Sequence, residues 1–537
     1  MKNKLKIIIP IIVGVLALVG IGVYTVLNGT STLSSFTISQ TKAEQDETGI
    51  DWSTYTSYDI ELSNESISIK NPGVYNISGT LSSGNITINT NGYVKLILKD
   101  ASITSKNAPA IYVVKSQGTY IALEGDNKIN AKTTTALDAA IYSKDDLYFL
   151  GNGSITIESN QDGIAGKDDL YFLSGTYTIN SSADGIKGKD TVTIKEGTYT
   201  ITAKEDGIKT TNTEEKGNVV IENGTFKITA KQDGIQAEST LTINDGKFTI
   251  VSGTTASSEE SQKGLKANQD ITINNGTFTI SAIDDAIHSN TNITINKGTY
   301  ELSSNDDGIH ADSQINIKDG EINITKSYEG IESYNITISG GTINVIASDD
   351  GINIGGGNDS SGTANGRMDG FDQDNGGMLT ITGGNIYVNA DGDGLDSNGG
   401  IKMSGGNVYV DGPTNNGNGA LDYNGTFVIT GGELIAVGSS GMAQNASSNS
   451  TQNTILINLS SQTTGNITFG NITYSPKKSY QSILISSASL QQNVEYTLTA
   501  GSTSQSITLT STVSQSGTTG GMMNGGGRMN NGMRGQH

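Results

Sequence analysis

The chain has 537 residues, with 54 acidic and 33 basic side chains, a net charge of -21 and no cysteine. Disulfides and thiolate metal sites are therefore excluded, and so acidic a protein is a poor partner for the phosphate backbone of a nucleic acid. Glycine is abundant at 69 and proline scarce at 5, and stretches rich in Thr, Ile, Tyr and Val favour short strands joined by tight turns. We expect an all-β fold that is elongated or repetitive.

An apolar segment comes first in the chain. Three lysines precede a run from Ile7 to Leu27, which as a helix of about 30 Å is long enough to cross a bilayer. The basic side is expected to stay in the cytoplasm, which places the rest of the chain outside. No clear small-x-small cleavage pattern follows, so residues 1–28 are predicted to be a retained anchor or a cleaved signal, and residues 29–60 a linker.

An internal repeat fills residues 61–450. A turn glycine followed by an alternating strand recurs, as in NGSITI, SGTYTI and GGNVYV, most often at an interval of 22 residues. Each period holds three short strands, one before the glycine, one after it and one after an acid-Gly-Ile corner such as DDGIHAD. Three short strands in one period fit a coil of a parallel β-solenoid, whose coils stack at about 4.8 Å, whereas a propeller blade needs about 40 or more residues.

The second residue after each turn glycine is predicted to form a stack in the core, because this position is aromatic in the earlier coils and aliphatic in the later ones. Its members are Tyr177, Tyr199, Phe226, Phe248, Phe278, Tyr300, Ile322, Ile343, Ile386, Val408 and Leu434. The neighbouring positions should point outward. Among them Tyr387 and Tyr409, 22 residues apart, form either an exposed pair that holds a sugar ring or a ladder that stabilises the strands.

The corner acids form a second column. An Asp before Gly is a standard turn pair, which accounts for single acids. The column runs through Asp138, Asp162, Asp184, Asp206, Asp233, Asp285, Asp307, Glu329, Asp350 and Asp393, with Lys263 interrupting it. Doubled acids exceed what a turn needs, since charges about 5 Å apart repel by roughly 3 kcal/mol at an effective dielectric near 20. Bound cations would relieve that repulsion, and clustered hard oxygen ligands favour Ca²⁺.

The densest acid cluster is NADGDGLDSNGG, in which three aspartates fall within one turn. Alignment of the columns places Asn353 and Asp422 one coil either side of Asp396. The predicted Ca²⁺ ligands here are Asp349, Asp350, Asn353, Asp391, Asp393, Asp396 and Asp422. The doubled acids of earlier coils give a second predicted Ca²⁺ region at Asp284, Asp285, Asp306 and Asp307.

A third column lies two residues after the corner glycine and is predicted to face outward. It changes from basic through imidazole to acidic along the chain: Lys187, Lys209, Gln236, Lys266, His288, His310, Glu332, Asn353, Asp396 and Asp422. The three lysines either bind carboxylates of an extended acidic chain or neutralise the adjacent corner acids. The two histidines are candidate contacts for the same chain, and they either hydrogen-bond to the acids as a stack, ligate a transition metal or exchange protons.

The repeat is lost after residue 450. Strand-like stretches such as QSILISS predict a β cap over residues 451–515, and the Gly/Met/Asn-rich residues 516–537 are predicted to be disordered. The chain is expected to be a monomer.

The DDGI corners, GINIGGGNDSSG, DGDGLDSNGG, KKSYQSILISS and the Met/Gly/Asn tail together resemble the clostridial secreted carbohydrate-binding domain-containing family with a pectate-lyase-like right-handed β-helix. The resemblance extends over most of residues 61–515. It implies a right-handed helix, Ca²⁺ sites, and binding of plant cell-wall polysaccharides, both acidic ones such as polygalacturonate and cellulose.

The resemblance also raises the question of turnover, because pectate lyases use Arg or Lys as the base. No arginine lies in the coils, and no lysine stands in the column beside Asp391 and Asp396, although a base must reach the proton it removes. Extracytoplasmic, Ca²⁺-dependent binding without turnover is therefore the leading hypothesis. A Ca²⁺-dependent uronate lyase and a surface adhesin or structural rod are the alternatives.

Overall fold

The computed structural model describes residues 49–517 apart from 135, 215, 254–259 and 356–375. The predicted membrane segment 1–28, most of the linker and nearly all of the tail lie outside these residues. Within the described part of the chain, no helix is both long enough and apolar enough to span a membrane.

Strict alternation of side chains produces the strands. In TYTITA, Thr198–Ala203, the residues at the second, fourth and sixth positions are buried and the threonines are exposed. β-Branched and aromatic side chains suit this pleated, half-buried surface. The described residues are accordingly all-β apart from one short 3-10 helix, Trp52–Thr54.

Within residues 57–516, no helix separates the strands wherever the structure describes the chain. The first coils contain β1 (Ser57–Leu62), β2 (Ile67–Ile69), β3 (Gly73–Leu81), β4 (Ile86–Asn89), β5 (Tyr93–Ser105), β6 (Ile111–Lys115), β7 (Gly118–Glu124), β8 (Asp126–Ala131), β9 (Ala139–Ser143), β10 (Leu147–Gly151), β11 (Ser154–Ser159), β12 (Asp162–Gly166) and β13 (Leu170–Phe172). The middle coils contain β14 (Thr176–Ser181), β15 (Ile186–Gly188), β16 (Thr191–Ile194), β17 (Thr198–Ala203), β18 (Ile208–Thr210), β19 (Asn218–Ile221), β20 (Thr225–Ala230), β21 (Ile235–Ala237), β22 (Leu241–Ile243), β23 (Lys247–Ser252), β24 (Leu265–Ala267), β25 (Ile271–Ile273), β26 (Thr277–Ala282), β27 (Ile287–Ser289), β28 (Asn292–Ile295), β29 (Thr299–Ser303), β30 (Ile309–Ile317), β31 (Glu321–Lys326), β32 (Ile331–Ile338), β33 (Thr342–Ala347) and β34 (Ile352–Ile354). The last coils and the C-terminal segment contain β35 (Met378–Ile381), β36 (Asn385–Ala390), β37 (Leu395–Ser397), β38 (Gly400–Met403), β39 (Asn407–Asp411), β40 (Leu421–Tyr423), β41 (Phe427–Ile429), β42 (Glu433–Gly438), β43 (Thr454–Thr463), β44 (Ile467–Phe469), β45 (Ile472–Tyr474), β46 (Tyr480–Ser487), β47 (Glu495–Ala500), β48 (Thr503–Thr508) and β49 (Val513–Ser516).

In the regular coils, each strand pairs with the third strand after it in the chain. Strand β14 pairs in parallel with β17 and β17 with β20, while β15 and β16 pair in the same way with β18 and β19. Each coil therefore contributes three strands, and each strand stacks on its equivalent in the next coil, as Tyr177 does opposite Tyr199. This topology is a parallel β-helix with three strands per coil, as the period predicted.

The predicted core column is confirmed. Each of its eleven members is at most 1% exposed. Successive rings stack in parallel, with Phe226 and Phe248 at 4.7 Å between centroids and an interplanar angle of 1°. The turn glycine before each ring is required by space as well as by backbone conformation: Gly246 has φ +136°, and a Cβ there would lie 2.9 Å from Phe248 and 3.0 Å from the Gly224 carbonyl oxygen.

The C-terminal segment covers the open end of the stack. Strand β46 pairs antiparallel with β42, the last strand of its column, and with β43, while β44, β45, β47 and β48 form a separate antiparallel sheet. The fully buried Asp411 anchors the segment by accepting hydrogen bonds from the Tyr474 hydroxyl and the Lys477 backbone N–H, both at 2.8 Å. The edge of the final coil is thus paired within the chain rather than left exposed.

The ring stack should carry much of the stability of the middle coils. We expect Phe248→Ala to lower the free energy of unfolding by about 3–5 kcal/mol, because it opens a cavity between two stacked rings. Val251, on the outer face of the same strand and 44% exposed, is the matched control, and its change to Ala should cost less than about 0.5 kcal/mol. Guanidinium unfolding measures both, and equal losses would contradict the assignment of the core.

Candidate functional site: the corner carboxylates and their cations

The corner carboxylates are buried and link neighbouring coils. The Oδ1 atoms of Asp162, Asp184 and Asp206 accept the backbone N–H of the equivalent residue one coil on, at 2.9, 3.0 and 2.8 Å. The same bond recurs from the Lys263 N–H to Asp233 and from the Asp307 N–H to Asp285. The Asp-Gly turn expected from the sequence is therefore also a coil-to-coil hydrogen-bond ladder, with its acids removed from water.

Lysines of the third column neutralise the ladder in the early coils. Lys187 Nζ lies 2.8 Å from Asp184 Oδ2, and Lys209 Nζ lies 2.5 Å from Asp206 Oδ2. Burial lowers the pKa of Lys187, but the neighbouring aspartates raise it further, so its net pKa is above the ordinary value. Lys266 is similarly paired with Asp233 at 3.4 Å. All three side chains keep roughly a fifth to a quarter of their surface exposed, and contact with a polysaccharide stays a prediction for them.

A lysine and a histidine contact the corner acids of the next coil. Lys263 Nζ lies 2.7 Å from Asp284 Oδ1 and 2.8 Å from Asp285 Oδ2. Burial raises the pKa of Asp285, but Lys263 and His288 outweigh it and hold that pKa below its usual range. Lys263 thus stands beside Asp284 and Asp285, and His310 lies 3.0 Å from Asp307. Ca²⁺ at the four acids of the earlier predicted region remains an untested prediction.

The two column histidines are buried between acids. His288 is 4% exposed and His310 is 0% exposed, with Nδ1 atoms 2.7 Å from Asp285 Oδ2 and 3.0 Å from Asp307 Oδ2. The sequence suggested an outward column, but the crowding of adjacent carboxylates leaves these rings almost no exposed surface. We therefore do not include them in a polysaccharide-binding surface.

In the later coils, the described residues provide no basic side chain that pairs with the corner acids. Strand register places Glu332 opposite Asn353, Asn353 opposite Asp396 and Asp396 opposite Asp422, which confirms the predicted alignment. The carboxylate oxygens of Asp393, Asp396 and Asp422 lie within 4.8 Å of one another. Among the residues that the structure describes, no Lys, Arg or His forms an ion pair with these three acids or with Asp350.

Burial and mutual repulsion make this cluster reluctant to ionise. Burial is the main cause that raises the pKa of Asp350, and repulsion from Asp396 and Glu329 adds to it, so that this pKa is about 9. Burial and then Asp393 and Asp422 raise the pKa of Asp396 to about 8, and burial raises that of Asp393 to about 6. Without a cation, this site would hold protons at neutral pH.

Asn353 adds an unsatisfied oxygen to the cluster. Its Nδ2 donates to Glu329 Oε2 at 2.8 Å, whereas its Oδ1 is buried without a hydrogen-bond partner. A side chain at Gly392 would collide with the carboxylates of Asp349 and Asp350, so this glycine leaves room for them. Hard oxygen atoms at this density, one of them orphaned, fit Ca²⁺, which takes six to eight such ligands.

Asp391 differs from the other predicted ligands. Its side chain is 72% exposed, and its Oδ1 accepts a hydrogen bond from Lys478 Nζ at 2.7 Å. Lys478 also donates to the Ala390 carbonyl oxygen at 2.6 Å. No sequence pattern indicated this lysine beside the cluster, because Lys478 lies 87 residues from Asp391 in the chain.

The predicted tyrosine pair is not an open platform. Tyr409 stacks on Tyr474 of the C-terminal segment, with ring centroids 5.5 Å apart and an angle of 12°. The hydroxyl of Tyr387 donates to Asp411 at 2.8 Å. Tyr409 is therefore covered by a structural contact, while sugar binding by Tyr387 stays a prediction.

A second acidic and aromatic patch was missed from the sequence. Asp146, Asp168 and Asp169 place carboxylate oxygens within 4.8 Å of one another, beside an outer stack in which Tyr148 and Tyr171 lie 4.6 Å apart. The repeated heptapeptide KDDLYFL, at 144–150 and 167–173, was the available signal. Lys216 Nζ lies 3.7 Å from Asp168, 3.8 Å from Asp169 and 2.9 Å from Asp190, so the chain supplies a cation here itself.

Comparison with known proteins supports the family resemblance. Residues 63–308 match the family model described as "Carbohydrate-binding domain-containing protein". A curated protein of that description from Acetivibrio thermocellus is 31% identical over 130 residues, which are 22% of this chain and 45% of that protein. This chain thus covers less than half the length of that relative.

A solved structure is also similar in sequence. It is described as a polysaccharide lyase-like protein from C. thermocellum in a gadolinium derivative, is 31% identical, and is matched over 36% of this chain and 90% of that chain, with a TM-score of 0.34. That score is too low to bear on the fold of this chain. The acid cluster around Asp396 lies beyond the residues that the family model matches.

Stabilisation by Ca²⁺ should grow with pH. In chelator, the folded state keeps protons on carboxyls with raised pKa that the unfolded chain has lost, so unfolding becomes easier as pH rises through about 6 to 9. In chelator, each additional proton held by the folded state lowers the free energy of unfolding by up to about 1.4 kcal/mol for each unit that the pH rises. The difference in melting temperature with and without Ca²⁺ should therefore increase between roughly pH 5 and 9, and a difference that is absent or shrinks would contradict the site.

Proposed function

We propose that this chain, whose residues 63–308 match the carbohydrate-binding domain-containing family, binds polysaccharide outside the cell through Ca²⁺ held at its later corners. One observation carries the calcium part of the proposal. The corner ladder is paired with Lys187 and Lys209 in early coils and with His288 in a middle coil, whereas the described chain supplies no ion-pair partner for Asp350 or Asp393.

The residues that would hold Ca²⁺ are oxygen donors from three successive coils. They are Asp349, Asp350, Asn353, Asp393, Asp396 and Asp422. A bound divalent ion would keep these carboxylates ionised at neutral pH and offset their mutual repulsion. Coordination positions that the protein leaves open would then suit a carboxylate from the ligand, which favours acidic polysaccharide such as polygalacturonate.

Counter-charge matters for such a ligand because the chain itself is strongly acidic. With a net charge of -21, the protein would repel a polyuronate in the absence of a bridging cation. The partly exposed amino groups of Lys187, Lys209 and Lys266 are additional candidate contacts. Cellulose, which has no carboxylates, would bind without this bridge.

The residues around the acid cluster favour binding of polysaccharide without its cleavage. A lyase needs a base that reaches the proton α to the uronate carboxylate. Lys478, which lies beside the cluster, donates to both Asp391 Oδ1 and Ala390 O. Both contacts direct N–H bonds of Lys478 at protein oxygens, so the protein engages this amine and does not present it as a base to a bound uronate.

The wider setting is part of the same proposal. Parallel crossovers are right-handed in about 98% of cases, which favours a right-handed coil. The apolar run from Ile7 to Leu27 supports export, with the β-helix anchored to the membrane or secreted, and the capped final coil supports a monomer.

Calcium-dependent retention on polygalacturonate tests the binding function. We expect Asp396→Ala to weaken Ca²⁺ binding at least tenfold in calorimetry and to abolish calcium-dependent retention in pull-down. Asp319→Ala removes the same charge from an exposed turn and should change neither. Retention of the unaltered protein that is indifferent to chelator would contradict the calcium bridge, and no retention on polygalacturonate or cellulose would leave the structural-rod alternative.

Turnover is tested separately. Prolonged incubation of the protein with polygalacturonate and Ca²⁺ should give no rise in the ultraviolet absorbance of unsaturated uronate products. A rise that Lys478→Met abolishes would instead establish the lyase alternative with Lys478 as its base. Lys477→Met, one residue away, is the matched control.

A further inference from the structure

His288 and His310, whose ring centroids lie 4.9 Å apart, differ in the hydrogen-bond partners of their nitrogens. His288 has Nδ1 at 2.7 Å from Asp285 Oδ2 and Nε2 at 2.9 Å from Asn290 Oδ1, so both nitrogens have a partner. His310 is fully buried, yet its Nε2 has no hydrogen-bond partner. The next imidazole in the same column is thus incompletely satisfied by the protein.

The other nitrogen of His310 faces two carboxylates. Its Nδ1 lies 3.0 Å from Asp307 Oδ2 and 3.1 Å from Glu332 Oε2, and ligand atoms of all three residues lie within 4.8 Å of one another. Tetrahedral zinc with bonds of about 2.0–2.2 Å separates its ligand atoms by roughly 3.3–3.6 Å. Small side-chain movements would bring these three atoms to that spacing.

A carboxylate also lies on the far side of the ring. Asp312 Oδ1 is 3.4 Å from His310 Nε2, without the geometry of a hydrogen bond. Metal-bound imidazoles usually donate their second N–H to such a carboxylate, which fixes the tautomer and leaves the first nitrogen free to ligate. The acid-histidine-acid arrangement around His310 has this order.

The balance of charge also points to a cation. Lys263 is paired with Asp284 and Asp285, but within the described chain the ion pairs of Asp307 and Glu332 involve only His310. The side chains of Glu332 and Asp312 are 11% and 31% exposed, which gives an ion a route from solvent.

We propose that His310 Nδ1 and the carboxylates of Asp307 and Glu332 form a site for a divalent transition metal ion, with Zn²⁺ as the best match. Imidazole favours zinc, copper and nickel, whereas Ca²⁺ takes oxygen ligands. The site is therefore chemically distinct from the oxygen cluster around Asp396. Because Glu332 lies one coil beyond His310, the ion would clamp two coils together.

Metal titration of the full chain tests this site. After chelation and removal of the chelator, Zn²⁺ is titrated in calorimetry with Ca²⁺ in excess, so that the oxygen cluster does not compete. We expect one high-affinity equivalent, weakened at least tenfold by His310→Ala and by the nearly isosteric Glu332→Gln. His537→Ala should have no effect. Because the chain has three histidines and no cysteine, these variants can trace any imidazole ligation.

A spectroscopic readout separates ligation from a purely structural role. Cu²⁺ bound in place of zinc should show nitrogen coupling in its electron paramagnetic resonance spectrum, and His310→Ala should remove that coupling while His537→Ala keeps it. Denaturant unfolding shows whether each variant is folded, and Glu332→Gln carries the test if His310→Ala is not. Absence of a high-affinity equivalent, or unchanged Zn²⁺ affinity in both folded variants, would overturn the site and leave His310 as an imidazolium paired with two acids.

Discussion

The structure depends on carboxylates that, at most corners, accept a backbone N–H from the next coil. Asp184 illustrates the bond, since it accepts from Asp206 at 3.0 Å while being fully buried. Such a bond satisfies a backbone donor where the strands turn, but in most coils it places a carboxylate largely out of water. Burying an unpaired charge is costly, so each coil needs a compensating positive charge or a proton.

The order of residues along the third column follows from that requirement. Lys187 and Lys209 reach back to the corner acids, and His288 does so later with a shorter side chain. At Asn353 and Asp396 the column itself turns neutral and then acidic. In the proposed account, bound Ca²⁺ supplies the compensating charge there in place of the protons that these acids would otherwise hold, so a structural need of the coil becomes a binding property of the protein.

The sequence predicted what depends on periodicity. The interval of 22 residues placed Phe248 in the core, and alignment of the repeated corner motifs placed Asn353 beside Asp396 and Asp396 beside Asp422, because each coil of a solenoid contacts only its neighbours. All-β class and parallel coiling followed from the same pattern. These features are determined locally or by the next coil.

Contacts without a periodic signal were not predictable. The corner acids were interpreted as turn residues because Asp before Gly is common in turns for local reasons. The backbone N–H that each carboxylate accepts lies in the next coil, 22 residues away in the case of Asp184. Tyr409 was expected to be open, and Lys478 was not placed beside Asp391, because both outcomes depend on how the C-terminal segment packs. Burial of His310 likewise depends on the crowding of carboxylates from neighbouring coils.

The central claim is that protein cations neutralise the early corners and bound ions neutralise the later ones. Hydrogen exchange followed by mass spectrometry, with and without Ca²⁺, tests it along the whole chain in one measurement, since exchange reports local opening. We predict that Ca²⁺ slows exchange in the coils from Glu329 to Asp422 and leaves the lysine-paired coils from Asp162 to Asp233 unchanged. Equal protection of both regions, or none in either, would contradict this account.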